Sequence, residues 1–420
     1  MNKKIKVLVL SDHPLSPSGV GIQTKYMIEA MLKTGKYKFV CLGGAIKHED
    51  YRPIKTEEWG EEFIIYPING YGDPDAIRSI LRSEQPDILW FMTDPRFFGW
   101  LWQMEDEIRP LVPMVYYHVW DNYPLPMYNK PWYESTDVIV AISKLTKDIV
   151  SKVMPEHEEI YYLPHALDKN IFKKLPEEDI KPHKLESFPD CEGKTIFFFN
   201  SRNARRKQSG SLIFWFNTFL NKVGRDKAIL LMHTDPLDPH GQDLEAIISY
   251  LKLDEGQVYL SREKVQPEAM SVMYNMADCT MNVSDAEGFG LSALESLACE
   301  TPVIVTMTGG LQEQVTDGEN WFGIGLEPTS KAIIGSQEIP WIYEDRLSEE
   351  VVVSAMEKIH NMTSEEREML GYMGRQHVLN NYSMEKFAEE WDRILSRTVE
   401  KHGSWDARKN YKSWNISEVK

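Results

Sequence analysis

Short apolar runs recur along the chain, each followed by a polar or glycine-bearing turn and then by a stretch whose apolar positions fall three and four apart. In the first half the runs cover 5–10, 39–42, 63–66, 88–92, 114–118 and 138–143; in the second half they cover 194–200, 228–233, 257–260, 277–283 and 302–306. Continuous apolar runs of this kind suit strands buried on both faces. Between them, 75–84, 144–150 and 270–277 carry helical spacing. Strand and helix in regular alternation predict an α/β chain of doubly wound parallel sheets. The Pro- and charge-rich segment 173–192 interrupts the alternation and reads as a linker. It divides the chain into a first domain over 1–185 and a second over 193–383, expected to face each other across a cleft, with an amphipathic helix at 384–395 opening a final segment, 384–420.

The most informative stretch is 284–298. It reads as a strand end, a glycine-rich turn and a helix start. Leu291, Leu294, Leu297 and Ala298 repeat at helical spacing, so a helix is expected to open near Phe289 or Gly290. The first turn of such a helix presents unpaired backbone N–H groups and the positive end of its dipole beyond the strand ends. Gly288, Phe289, Gly290 and Leu291 are therefore the expected seat of an anionic group. Glu287 and Glu295 flank that seat. A carboxylate accepts two hydroxyls at once, which suits vicinal sugar or ribose hydroxyls, and a nucleotide diphosphate-sugar supplies anion and hydroxyls together. Taken singly, Glu295 reads as a first-turn acid favoured by the dipole and Glu287 as a solvated loop acid.

Taken together, EGFGLSALESLA resembles the E-x7-E motif of retaining glycosyltransferases of family 4, which have the GT-B fold. The resemblance implies two Rossmann-like domains, with a C-terminal helix crossing back to the first, an acceptor side in the first domain and a donor side in the second. It implies that Glu287 meets the donor sugar and Glu295 the nucleotide ribose. It places an Arg and a Lys five apart after the first strand of the second domain to hold the donor pyrophosphate, matched here by Arg202 and Lys207 in the basic run 202–207. Fixed cations there would stabilise the charge gained by a leaving diphosphate. The resemblance also marks Gly19 and Gly21, in the turn after the first strand, where small residues let a ligand approach the backbone. Ser18 stands beside them where a glycine is common. His118 ends a strand at the edge of the sheet where ligands collect, as does the family's histidine near the donor sugar, and Asp121 could orient it or hold a hydroxyl.

The activity that the resemblance implies is a retaining, metal-independent transfer of a sugar from a nucleotide diphosphate-sugar to an acceptor hydroxyl. No cofactor is expected beyond the nucleotide-sugar co-substrate, and no metal. A GT-B phosphorylase or epimerase would use the same anion seat, and so would a non-catalytic nucleotide-sugar binding protein. The acceptor class, donor sugar, base and oligomeric state have no signature in these residues. Asp73-Pro74-Asp75 imitates a metal-binding DxD but precedes a helical stretch, where it reads as a turn and N-cap.

A net charge of −17 argues against nucleic acid or an anionic membrane face as partner. Four cysteines, Cys41, Cys191, Cys279 and Cys299, lack CxxC spacing and read as reduced. The apolar run near the N-terminus is short for a signal peptide, and no stretch reaches the ~20 apolar residues of a spanning helix, so a soluble, cytoplasmic protein is expected. The insert 329–346 and the tail residues Trp405, Tyr411 and Trp414 stand outside the motif pattern; packing is expected of the tail.

Overall fold

A computed structural model describes residues 3–405 and 407–411; Trp414 lies outside the described residues. Two compact units divide the chain: unit 1 comprises Met1–Ala166, Gly335–Pro340 and Met384–Lys420, and unit 2 comprises Leu167–Ile334 and Trp341–Ser383.

Unit 1 is built on eight strands, β1 (Ile5–Asp12), β2 (Tyr37–Gly44), β3 (Ile54–Lys55), β4 (Phe63–Pro67), β5 (Ile88–Met92), β6 (Met114–His118), β7 (Val138–Ala141) and β8 (Ile160–Tyr162). Their order is β3-β4-β2-β1-β5-β6-β7-β8. All neighbours are parallel except β3 with β4. Val7 of β1 pairs with Phe39 on one side and Ile88 on the other, and Val7 to Leu10 are at most 1% exposed, as the unbroken apolar run requires. Helix starts follow local chemistry. Ser18 caps Gly19–Lys33, Asp73 caps Pro74–Glu84 by accepting from the N–H groups of Asp75 and Ala76, and Ser143 caps Lys144–Val153. The Asp73-Pro74-Asp75 triplet is thus a helix cap.

The last helix, Met384–His402, belongs to the same unit and extends past residue 395. Trp391 is fully buried on it, with ring centroids 5.8 Å from Trp90 and 5.0 Å from Tyr117. Trp405 packs against the core of this unit, and the Arg109 guanidinium lies 4.8 Å from the Tyr411 ring.

Unit 2 carries β9 (Thr195–Asn200), β10 (Ala228–His233), β11 (Val258–Ser261), β12 (Cys279–Asn282), β13 (Val303–Thr306) and β14 (Gly323–Leu326), all parallel in the order β11-β10-β9-β12-β13-β14. This is the doubly wound order in which chain direction reverses between the first and fourth strands, so β9 and β12 lie side by side at the switch point. Phe197, Phe199, Leu230, Met281 and Ile304 fill its core with helix residues such as Phe216 and Phe219.

Two segments differ from expectation. Within the expected linker, Glu177–Ser187 is a helix of unit 2, and the chain passes from unit 1 to unit 2 at Ala166. Its first turn holds Glu177, Glu178 and Asp179, which complement the helix dipole, and Ile180 is buried; the charges that suggested a linker are those of a helix start. Residues from the insert form an antiparallel hairpin of β15 (Ser330–Ile334) and β16 (Ile342–Arg346), pairing Lys331 with Asp345.

Among the described residues all four cysteines are free, with Cys41, Cys279 and Cys299 buried. No helix among them is long and apolar enough to cross a membrane.

Candidate active site

The switch point of unit 2 collects the chemistry. β12 ends at Asn282 and the helix Leu291–Ala298 begins after Gly290. Gly290 has φ +92°, a conformation that only glycine adopts without strain, and a side chain there would also strike Leu311. Gly310 closes the turn from the other side. Its N–H donates to the Glu287 carbonyl at 3.2 Å, and a Cβ on it would sit 2.8 Å from both the Gly288 oxygen and the Phe289 Cα. Phe289 is 4% exposed, and Gln314 donates to its carbonyl at 2.7 Å. The turn is therefore held rigidly from beneath. The first N–H groups of the helix lack intrahelical acceptors by its own geometry.

The neighbouring strand end supplies cations. β9 ends at Asn200, and Arg205–Lys207 form a single 3₁₀ turn before the helix Ser209–Val223. Lys207 Nζ donates to Glu287 Oε2, and Arg206 donates to the Ala286 carbonyl and stands 3.9 Å from the same Glu287 oxygen. Burial would raise the Glu287 carboxyl, but the charges of Lys207 and Arg206 outweigh it and hold the group below its ordinary value. Glu287 is thus ionised between two cations.

Glu295 lies on the fifth helical position and has a different setting. Its Oε2 accepts from Tyr274 Oη at 2.7 Å, and Tyr274 Oη in turn accepts from Asn200 Nδ2 at 2.8 Å. Burial pushes Glu295 up to about 7, against the pull of the Tyr274 hydrogen bond. The two acids of the motif are therefore shifted in opposite directions, Glu287 down by its cations and Glu295 up by burial.

Arg202 is placed differently from Lys207. Its guanidinium grips Asp238 through two bonds of 2.6 and 3.1 Å, and its side chain is 61% exposed.

In unit 1, Gly19 begins the first helix and Ser18 Oγ accepts from the Gly21 N–H at 3.0 Å while donating to Asp12 Oδ2 at 2.6 Å. A Cβ on Gly21 would lie 2.7 Å from the His13 carbonyl, so this glycine is required by the turn itself. His118 is fully buried at the end of β6, with Nε2 2.8 Å from Tyr133 Oη and Nδ1 without a hydrogen-bond partner among the described residues. Burial pulls the imidazole down to about 3, so it is neutral. Asp121 is partly exposed and its charge reaches Arg96 and Tyr128.

Sequence reasoning passed over several residues. Arg206 adjoins Lys207 and reads as a spare charge; Tyr274 falls in the helical stretch 270–277 without a role of its own. Asp285, Arg346 and Glu344 form a buried network beside the turn, in which Arg346 bridges Asp285 and Glu344 and Glu344 holds Arg205. No spacing along the chain marks them, because the fold brings Glu344 and Arg346 to Arg205 and Asp285.

Residues 239–377 match the family of group 1 glycosyl transferases. The chain is 22% identical over 234 residues to an N-acetyl-alpha-D-glucosaminyl L-malate synthase of Bacillus anthracis, covering 56% of this chain and 58% of that protein. It is 24% identical over 208 residues to a mannosylfructose-phosphate synthase of Agrobacterium fabrum, covering 48% and 44%. The chain thus spans about half the length of the curated relatives it matches. Among solved structures, a sucrose-phosphate synthase from Thermosynechococcus elongatus superposes with a TM-score of 0.74 at 16% identity, over 94% of this chain and all of that one. Anabaena HepE, in complex with UDP and glucose, superposes with a TM-score of 0.67 at 14% identity, over 94% and 100%. At these identities the likeness is one of fold, an α/β chain with the parallel sheets of GT-B proteins.

Proposed function

We propose that the protein is a retaining glycosyltransferase that moves a sugar from a nucleotide diphosphate-sugar to an acceptor hydroxyl without a metal ion. The observation that carries this reading is the buried Lys207–Glu287 pair, with Arg206 beside it, at the entrance of the helix Leu291–Ala298. The group 1 match over 239–377 and the GT-B fold of the solved neighbours support it.

On this reading the diphosphate sits against the first-turn N–H groups of Gly290 and Leu291, with Lys207 and Arg206 as counter-charges. Glu287, ionised and fixed by Lys207, accepts hydroxyls of the donor sugar, and Glu295 accepts those of the ribose. In the transfer, the bond between the sugar C1 and the β-phosphate oxygen breaks, and a bond from C1 to the acceptor oxygen forms on the same face. The acceptor proton passes to the departing phosphate oxygen, and the fixed cations neutralise the charge that the diphosphate gains. Gly19, Gly21, His118 and Asp121 of unit 1 are assigned to substrate by this reading, and Arg202 to the pyrophosphate, released from Asp238 when donor binds.

The test is a thermal-shift screen of UDP-, GDP- and ADP-sugars with and without Mg²⁺, because a ligand that binds only the folded state stabilises it by mass action. The expected result is a clear rise with one nucleotide class, unchanged by Mg²⁺. No rise with any of them would overturn the donor site, and a rise that needs Mg²⁺ would overturn metal independence.

A further inference from the structure

The basic turn 205–207 poses an electrostatic problem. Three consecutive cations repel one another, yet Lys207 is only 8% exposed and directed onto Glu287. Something must hold the turn.

The hairpin does so through a ladder of alternating charge. On β16, Glu344 and Arg346 share one strand face. Glu344, its side chain 3% exposed, accepts from Arg205 Nη1 at 2.8 Å and so takes the first cation away from the other two. Arg346 donates to Glu344 at 2.6 Å and, with its other nitrogen, to Asp285. Asp285 is the hub. Its side chain is 2% exposed, its Oδ2 also accepts from Gln208 Nε2 at 2.7 Å, and its backbone N–H donates to the Arg206 carbonyl at 2.7 Å. The Asp345 N–H completes the joint by donating to the Asp285 carbonyl at 2.8 Å. Gln208 sits at φ +58°, a left-handed conformation that a side-chain bond to Asp285 helps to hold. Asp285 is thus bonded to the middle residue of the basic turn and to Gln208 that caps it, and is two residues from Glu287.

We propose that the β15–β16 hairpin is a positioning element for the donor seat and that Arg346 is its positioning residue, acting through Asp285 on the turn bearing Arg206 and Lys207. This rests on the donor-site reading above. Without Arg346, the buried carboxylates of Asp285 and Glu344 face each other without their shared cation. Asp285 then loses the cation bonded to its carboxylate and keeps the Gln208 bond, and the 205–207 turn loses part of the anchor that sets Lys207 against Glu287. Since loss of the hairpin's anchor shifts Lys207 and Arg206 without removing either charge, it acts on the alignment of transfer more than on the nucleotide affinity those charges supply.

The experiment uses the full chain with water as the acceptor and follows hydrolysis of UDP-, GDP- and ADP-glucose and their mannose counterparts to nucleoside diphosphate and free sugar. Arg346→Gln is expected to lower kcat by about tenfold or more while changing the donor KM by less than about threefold. Arg346→Lys, which keeps the charge but not the fork, is expected to recover part of kcat. Lys207→Ala, by contrast, raises donor KM as well. Should Arg346→Gln prove too unstable to assay, Arg205→Gln serves as the second variant: Arg205 is 60% exposed, so the fold persists, and kcat is expected to fall in the same direction by about threefold. Wild-type kcat in Arg346→Gln, or in Arg205→Gln where Arg346→Gln does not fold, overturns the hairpin's role alone. Absence of release by the unaltered protein from every donor overturns the donor-site reading and this inference with it.

Discussion

Lys207 and Glu287 leave two adjacent strands of one sheet and meet as an ion pair whose side chains are only 10% and 13% exposed. Neither charge is tolerable there without the other. Lys207→Ala is expected to destabilise the protein by about 3 kcal/mol, because it leaves the buried Glu287 carboxylate with only the more distant Arg206, whereas the double variant Lys207→Met, Glu287→Gln is expected to lose much less. Chemical denaturation of both checks this; equal losses would mean that the pair is not coupled. Where Lys207→Ala still folds, donor turnover should fall by about 10²–10³.

The two acids of the motif respond to pH with opposite sign. Glu287 is held below its ordinary value of 4.5, so its stabilising contribution is present above that value and disappears as the pH falls through its folded value. Glu295, raised to about 7, keeps a proton that the unfolded chain has already released; its contribution is complete below 4.5 and is lost as the pH rises through about 7. The stability of the unaltered protein relative to Glu295→Gln should therefore decline over that window. On the proposed role, nucleoside diphosphate binding should strengthen as the pH rises through about 7 and Glu295 ionises, and should not do so in Glu295→Gln. Calorimetry at several pH values checks both.

Gly310→Ala places a methyl group 2.8 Å from the backbone of Gly288 and Phe289, atoms that cannot rotate away. A loss of about 1–3 kcal/mol is expected, together with weakened nucleotide binding. A fully stable, fully active variant would show that the turn is less rigidly seated than its contacts indicate.

Arg202 is paired with Asp238 at the surface, and its removal should shift stability by no more than about 1 kcal/mol. If it is recruited to the pyrophosphate as proposed, Arg202→Ala raises donor KM with the melting temperature nearly unchanged. Unaltered kinetics would remove it from the site.

Much of the fold was legible in the sequence because parallel strands buried on both faces leave continuous apolar runs. The runs at 88–92, 114–118 and 228–233 coincide with β5, β6 and β10 residue for residue. The turn at Gly288 to Leu291 was legible because a glycine at positive φ and a leucine repeat after it leave little else to form. Less visible was β14, whose Gly323 and Gly325 dilute its apolar character, and the hairpin, whose two buried positions on β16, on opposite faces, hold Glu344 and Asp345 where apolar residues would have signalled a strand. The helix Glu177–Ser187 was hidden by the charges of its own first turn. The partners of Arg202 and Arg205 could not be read at all, since Asp238 and Glu344 are brought to them by the fold and not by spacing along the chain.

The place of Trp391 also bears on how the protein is made. Trp90 and Tyr117 enclose it within unit 1, yet it leaves the ribosome only after the whole of unit 2 has been translated. At about 5–20 residues per second, the intervening ~200 residues impose a wait of about 10–40 seconds. During that wait unit 2 has its complete sequence, whereas the nascent first unit lacks the helix that packs Trp391 onto Trp90 and Tyr117. Chaperone capture during synthesis, and aggregation of chains ending before Trp391, should therefore be directed at the place that helix occupies.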